Sequence, residues 1–468
     1  MIWDLRKYGD RTAVLDEYGS SLTYAALERE GRRVAEAMGR RCLAFILCRN
    51  ETGALVGYTG MMNAGIVPLL LSGHMDQEAL AGLLAAYQPP YLWAPEDVSL
   101  PDWAPVYRAF GYCLFRAPFE AEYPLHPDLG LLLTTSGSTG SPKFVRQSYE
   151  NIRANAESIV SYLELDETER PITTLPMNYT YGLSIINSHL LVGAALLVTD
   201  KSLMQREFWT FFKEAGATSF GGVPYTYEML DRMRFQRMDL PTLRTMTQAG
   251  GKLSPALHRK FAEAARAAGR KFVVMYGQCE ATARMGWLPP ERAVEKCGSM
   301  GVAIPGGRFR LLDGDGGEIT APNVAGELIY EGPNVTLGYA EGGGDLAKGD
   351  ERGGVLHTGD MARFDEDGYY YITGRKKRFL KIYGNRVNLD EVDGLVKEKF
   401  PALDCASAGV DDHMYIFITG EGEAETVKEF LARRTKLNPA AFQVRVLDRI
   451  PKNDAGKTLY RELEAYYK

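Results

Sequence analysis

The sequence lacks any long apolar run. None is long enough to span a bilayer, and the opening MIWDLRKYGD has no apolar core of the kind a secretory signal needs. Cysteine is scarce and scattered. The six residues (Cys42, Cys48, Cys113, Cys279, Cys297, Cys405) include no pair at zinc spacing, which points to free thiols in a reducing cytosol rather than a disulfide framework. Positive charge is not in excess: a formal net charge of -6 argues against general nucleic-acid or membrane-surface binding. Repeats and low-complexity tracts are absent as well. What remains is 468 residues of ordinary globular composition, 45% hydrophobic and 24% charged, enough for two or three domains. The expectation is a cytoplasmic multidomain protein.

One stretch organises the rest. In LLLTTSGSTGSPK, Leu131 to Lys143, an apolar run stops at Thr134 and a segment of hydroxyls, glycines and one lysine follows. The run reads as a buried strand and the remainder as a phosphate-binding loop. Gly137 and Gly140 allow close backbone approach. The hydroxyls of Thr135, Ser136, Ser138 and Thr139 can donate to phosphate oxygens, and Lys143 adds a point charge. A Walker loop is excluded, because only two residues separate the glycines and Pro142 precedes the lysine.

Elsewhere helical and strand-like patterns alternate, which indicates a layered α/β fold. Leu22 to Met38 has helical spacing, Cys42 to Cys48 reads as a strand covered on both faces, and Gly57 to Leu71 as a helix leading into a strand. A helix is expected from Tyr149 to about Leu163, and an aromatic loop, helix and strand from Leu175 to Val198. Ser219 to Leu230 and Thr245 to Pro255 each read as a strand, a Gly-rich turn and a helix start. Lys271 to Met285 delivers Tyr276-Gly277-Gln278-Cys279-Glu280 at the carboxyl end of an apolar strand, the usual ligand side of an open parallel sheet. There Tyr276 can stack on a flat base and Glu280 can ligate Mg²⁺. Gly298 to Asp313 and Ala325 to Tyr339 read as a small β subdomain, and Gly342 to Gly354 as a polar, mobile loop. HTGD places Asp360 after a strand, and FDEDGYYYITGR is a hairpin turning at Asp367-Gly368. Near the end, Asn453 to Gly456 make a turn with Lys457 at its exit.

TSGSTGSPK resembles the phosphate-binding signature of the adenylate-forming enzymes, which include acyl- and aryl-CoA synthetases, peptide-synthetase adenylation domains and luciferases. Further strings resemble that family's motifs in its order. PMNYTYGL is similar to its PMFHIYAL-type segment, YGQCE to Tyr-Gly-x-Thr-Glu, and PKNDAGK to its terminal Pro-x-x-x-x-Gly-Lys. The resemblance implies a large N-terminal domain (1–376) of layered α/β sheets with a small β subdomain, and a small mobile α+β domain (377–468) turning about Lys377. It also implies roles. Lys457, Glu280 and Lys143 would be catalytic, and Glu280 and Thr139 would hold Mg²⁺. The loop residues Thr135 to Gly140, with Gly250, Gly251, Tyr276, Gly277, Asp360 and Arg375, would bind ATP, the last two at the ribose. Tyr179 and Tyr181 would line the acid pocket, and Gly384 would let a pantetheine arm pass. Cys279 departs from the family threonine, and its thiol is a poorer donor for the α-phosphate. Thr282 stands close enough in sequence to substitute.

The implied activity joins a carboxylic acid to the thiol of coenzyme A or of a carrier-protein phosphopantetheine, through an acyl-adenylate. Amino-acid-activating members carry an aspartate in the segment Leu175 to Val198 to pair with the ammonium, and this chain has no Asp or Glu there. A buried ammonium without a carboxylate would be costly, so an aryl or acyl acid is expected. Two alternatives stand beside this reading. One is an adenylation domain serving only a carrier protein. The other is a catalytically silent nucleotide-binding module.

Overall fold

The computed structural model describes residues 2–119, 123–134, 143–376, 378–383, 385–452 and 458–467. They fall into two compact units. One is built from the described residues within Met1–Thr135, Ser141–Arg308 and Glu331–Leu356, the other from those within Phe309–Tyr330 and His357–Lys468.

The first unit grows from the apolar run Leu43–Cys48. It forms a strand whose alternate side chains enter different cores: Ala44, Ile46 and Cys48 on one face, Leu43, Phe45 and Leu47 on the other. A strand buried on both faces needs this uninterrupted pattern. It pairs in parallel with Val67–Ser72 and Tyr91–Pro95, and Val67–Ser72 pairs in parallel with Leu129–Thr134. Antiparallel strands complete an eight-stranded sheet, with Phe144–Ser148 and then Gly338–Ala340 on one side and Tyr112–Arg116 and Ala104–Ala109 on the other. The helices Tyr24–Met38 and Thr52–Asn63 supply Leu27, Val34, Leu55 and Met61 to one core, and Gln77–Tyr87 supplies Leu80 and Leu83 to the other.

A second sheet of the same unit carries the parallel strands Ser219–Gly222, Thr245–Gln248 and Lys271–Tyr276, extended antiparallel by Gly286–Trp287 and Val302–Ala303. A third, three-stranded sheet joins Leu196–Val198, Thr12–Asp16 and Ser21–Thr23. The helix Tyr149–Leu163 ends where the sequence predicts, and its Ser148 cap forms reciprocal bonds with Asn151.

In the other unit, Arg308–Leu312, Gly326–Glu331, Val355–Phe364 and Tyr370–Arg375 form a four-stranded sheet. Its last two strands are the expected hairpin, held at the turn by Asp365 Oδ1, which accepts from the Asp367 and Tyr369 amides at 3.1 and 2.9 Å. Beyond it, the three-stranded sheet Cys405–Val410, His413–Ile418, Phe442–Val446 packs with the helices Leu389–Lys399 and Ala424–Thr435 around Val392, Val396, Ile416, Val427 and Leu431. No helix among the described residues is long and apolar enough to cross a membrane.

Three local expectations are revised. The strands read as one small β subdomain divide, because Gly338–Ala340 completes the eight-stranded sheet while Arg308–Leu312 and Gly326–Glu331 join the four-stranded one. The polar segment 342–354 is not a plain loop: Gly343–Ala347 forms a 3₁₀ turn that buries Leu346 completely. Asp360 lies within the long strand Val355–Phe364 rather than after it.

Candidate active site

The strand Lys271–Tyr276 ends in a 3₁₀ turn, Cys279–Ala281, that presents Glu280. The turn is held by unusual backbone. Thr282 and Ala283 take φ of 52° and 94°, and Asn334 fixes them, donating from Nδ2 to the Ala281 and Arg284 carbonyls at 2.8 and 3.0 Å. Thr282 donates its hydroxyl to the Asn334 carbonyl at 2.8 Å and is buried. It is therefore committed to holding the turn, and the expectation that it substitutes for the family threonine is not met. The Glu280 carbonyl is equally occupied, accepting from Thr336 N and Oγ1, both at 3.0 Å, and from Arg352 Nη1 at 2.9 Å. Backbone strain maintained this way marks sites where geometry matters more than local stability.

The carboxylate of Glu280 accepts a hydrogen bond from the Tyr339 hydroxyl at 2.8 Å. Two cations approach the Tyr339 ring, with Lys143 Nζ 5.8 Å and the Arg352 guanidinium 4.7 Å from its centre. Lys143 also pairs with Glu341 at 2.6 Å. The strand bearing Tyr339 is fixed by the fully buried Arg146, which donates to the Tyr339 and Leu337 carbonyls at 2.9 and 3.0 Å. Burial and the Glu280 charge push the Tyr339 phenol up to about 12, so it remains a donor across the physiological range. Sequence reasoning selected Glu280 and Lys143 but missed Tyr339 and Arg352. The available signal was an aromatic closing the apolar strand pattern ELIYEGPNVTLGY, next to a glycine.

Among the described residues, no cluster of three His, Cys, Asp or Glu could hold a metal. A single carboxylate fits Mg²⁺ of the kind that keeps its waters and is bound mainly by substrate phosphates. Glu280 is the carboxylate that could take that part, and the Tyr339 hydroxyl holds it. Tyr339→Phe removes a bond to a charged group on a side chain that is 36% exposed. The Mg²⁺ concentration for half-maximal activity is expected to rise roughly 3–10-fold. Magnesium titration at unchanged melting temperature checks this.

The candidate acid-binding segment belongs to the same unit. Tyr179 precedes the helix Thr180–Val192, and Tyr181 sits in its first turn, 4% exposed. Tyr181 shares a 2.7 Å hydrogen bond with Thr247 Oγ1, and Tyr227 donates to the Thr247 carbonyl at 2.8 Å. Thr247 leads into Gly250 and Gly251. Gly250 has φ +82°, and a β-carbon there would come 2.7 Å from the Tyr179 hydroxyl. The fold thus brings Tyr179, Tyr181, Gly250 and Gly251 together. Burial pushes the Tyr181 phenol up to about 12, against the lowering influence of Arg284. Tyr276 closes its strand half-buried, accepting from Gln278 Nε2 at 3.3 Å, and Cys279 is buried.

In the other unit, Asp360 and Arg375 are direct cross-strand partners, 3.4 Å apart between Oδ1 and Nε, with Asp360 buried. Their juxtaposition follows from the hairpin register. Thr135, Ser136, Gly137, Ser138, Thr139, Gly140, Lys377, Gly384 and Lys457 lie outside the described residues.

Comparison with known proteins gives this site its context. An oxalate–CoA ligase of Arabidopsis thaliana is 31% identical over 358 residues, covering 73% of this chain and 68% of that protein. A 2-succinylbenzoate–CoA ligase of Geobacillus sp. (strain WCH70) is 27% identical over 360 residues, covering 73% and 70%. In three dimensions the chain is similar to the o-succinylbenzoate CoA synthetase of Bacillus subtilis solved with the acyl-adenylate intermediate OSB-AMP. The TM-score is 0.78 at 21% identity, over 98% of this chain and 97% of that one, which supports the fold. Residues 2–340 match the AMP-binding enzyme family. With that match spanning most of its length, this chain belongs to the AMP-binding enzymes.

Proposed function

We propose that the protein is an ATP-dependent carboxylic acid–thiol ligase. A carboxylate oxygen of the acid attacks the α-phosphorus of ATP, the bond to the β-phosphate bridging oxygen breaks, and pyrophosphate leaves. A thiol sulfur, of coenzyme A or of a carrier-protein phosphopantetheine, then attacks the acyl carbon and AMP departs. The observation that carries this reading is the family match over residues 2–340 together with the Glu280 carboxylate bonded to Tyr339, whose ring Lys143 approaches.

The adenylation step joins two anions, so positioning and positive charge must lower its barrier. Lys143 and Lys457 would supply charge, and the Thr135 to Gly140 loop, with Thr139 also a metal ligand, would hold phosphate. Mg²⁺ held at Glu280 would neutralise phosphate charge. Tyr276, Gly277, Gly250 and Gly251 would receive the adenine, and Asp360 with Arg375 the ribose. Tyr179 and Tyr181 line an acid pocket without a carboxylate in the segment Leu175 to Val198, which supports an aryl or acyl acid over an α-amino acid. We place the boundary of a small mobile domain at Lys377, and the pantetheine path at Gly384. If Lys377→Pro impaired adenylation and thioester formation equally, the hinge would lose its support.

The decisive experiment is acid-dependent ATP–pyrophosphate exchange over aryl, acyl and amino acids. Exchange with an aryl or acyl acid and none with amino acids is expected. Binding of ATP with no exchange for any acid would overturn the ligase reading in favour of a silent nucleotide-binding module.

A further inference from the structure

Arg284 is a cation in the wrong place for a purely structural residue. It is 2% exposed, on the short segment between the Glu280 turn and the strand Gly286–Trp287. Its Nε donates to Ser184 Oγ at 3.1 Å, and its Nη1 reaches the Tyr162 hydroxyl and Met275 Sδ, both at 3.0 Å. The Tyr181 ring centre lies 5.2 Å away. Every one of these neighbours is neutral. Among the described residues, no carboxylate pairs with Arg284, and its Nη2 makes no hydrogen bond.

The neighbours register that unpaired charge. Arg284 lowers the phenols of Tyr162 and Tyr181 against the upward push of burial, and it adds to the burial that takes His189 down to about 4. From the helices Tyr149–Leu163 and Thr180–Val192, Arg284 is met by the hydroxyls of Tyr162 and Ser184. Burying an unpaired charge is costly, so a guanidinium is kept in such a place when something else completes the pair. Contacts link Arg284 to the acid pocket in sequence: it borders Tyr181, whose ring lies 6.4 Å from that of Tyr179, and Tyr179 abuts Gly250.

We infer that Arg284 receives a second anionic group on the acid, so that the substrate is a dicarboxylate or a carboxylic acid bearing an equivalent distal anion. This rests on the ligase reading above and narrows its substrate class. The acid's reacting carboxylate goes to ATP, and its distal carboxylate meets Nη2, the one nitrogen of the guanidinium not already engaged. A mono-acid of the same length leaves Arg284 unpaired and gains nothing from it. Sequence reasoning missed this residue, although a lone arginine in the small and apolar string ATARMGW was visible.

The test is ATP–pyrophosphate exchange with acids matched in size, such as hexanoate against adipate and benzoate against terephthalate, for the native protein, Arg284→Met and Arg284→Lys. ATP binding and melting temperature are measured in parallel. The native protein is expected to prefer one diacid over its mono-acid partner by roughly 10–100-fold in kcat/KM, the range set by leaving one member of a buried charge pair unmatched. Arg284→Met should lose that preference by losing the diacid alone, and Arg284→Lys should recover part of it. Preference for mono-acids in the native protein overturns the inference while leaving the ligase reading intact. So does an equal loss on both acids in a folded Arg284→Met. If Arg284→Met does not fold, the native diacid ratio decides. Exchange with no acid, despite ATP binding, removes the ligase reading and this inference with it.

Discussion

Lys457→Ala is expected to lower acid-dependent ATP–pyrophosphate exchange by about 10²–10³-fold, the usual consequence of removing one charged donor aimed at a developing anion. The reason is electrostatic. In the adenylation step a carboxylate approaches a phosphate, and the transition state holds more concentrated negative charge than either reactant. A cation contributes most there, so the loss should fall on kcat more than on KM. If the small domain turns between half-reactions, the lysine is withdrawn before the thiol attacks. Thioester formation from a preformed acyl-adenylate should then fall less than about threefold in the mutant, well inside the tenfold that 1.36 kcal/mol represents. Equal losses in the two assays would refute the division of labour between them.

Gly277→Ala is expected to destabilise the protein by about 3–5 kcal/mol and to abolish exchange, because overpacking against main chain has no flexible atom to absorb it. A β-carbon at Gly277 would stand 1.5 Å from the Ala283 carbonyl oxygen and 3.0 Å from Arg284 Cα. Ala283 cannot retreat, since it and Thr282 already hold positive φ and the Asn334 bonds fix both. The strain must therefore pass to Tyr276 and Glu280, the flanking candidate site residues. Gly251→Ala is the contrast. Its β-carbon would meet only Pro224, at 3.1 Å from Cγ, and a change below about 1 kcal/mol is expected. Thermal unfolding of the two variants separates a backbone clash from general intolerance at glycine. Similar melting temperatures would contradict the close approach.

Much of the fold was legible because its signals are local. The run Leu43–Cys48, the helix Tyr149–Leu163 and the Asp367-Gly368 hairpin each carry their own pattern, and each forms as read. The hairpin was legible, but the pairing of Asp360 with Arg375 across it was not, because Asp360 was expected after a strand rather than within one. What escaped depends on distant partners. The segment 342–354 is polar on average, yet Leu346 within it is completely buried, with its carbonyl accepting from His126 N at 2.8 Å. Tyr339 acquires its meaning only when an edge strand brings it to Glu280, which is 59 residues away. Arg284 looks like any surface arginine until the strands around it close, because its lack of a carboxylate partner among the described residues is a property of three dimensions.

The described residues on either side of 453–457 fix where that segment leaves and rejoins the fold. The chain leaves a paired position at Lys452 and returns to one at Thr458, with the Leu459 amide bonded to the Pro451 carbonyl at 2.9 Å. Just beyond, Tyr460 lies under the Arg378 guanidinium at 3.9 Å, and Tyr467 stacks on Tyr415 at 4.7 Å. Lys457, the proposed catalytic lysine, directly precedes the anchored Thr458 in sequence. A short tether raises local concentration but forbids searching. Insertions between Gly456 and Thr458 should then cost far more activity than stability, because they lengthen the tether without touching the core around Leu463.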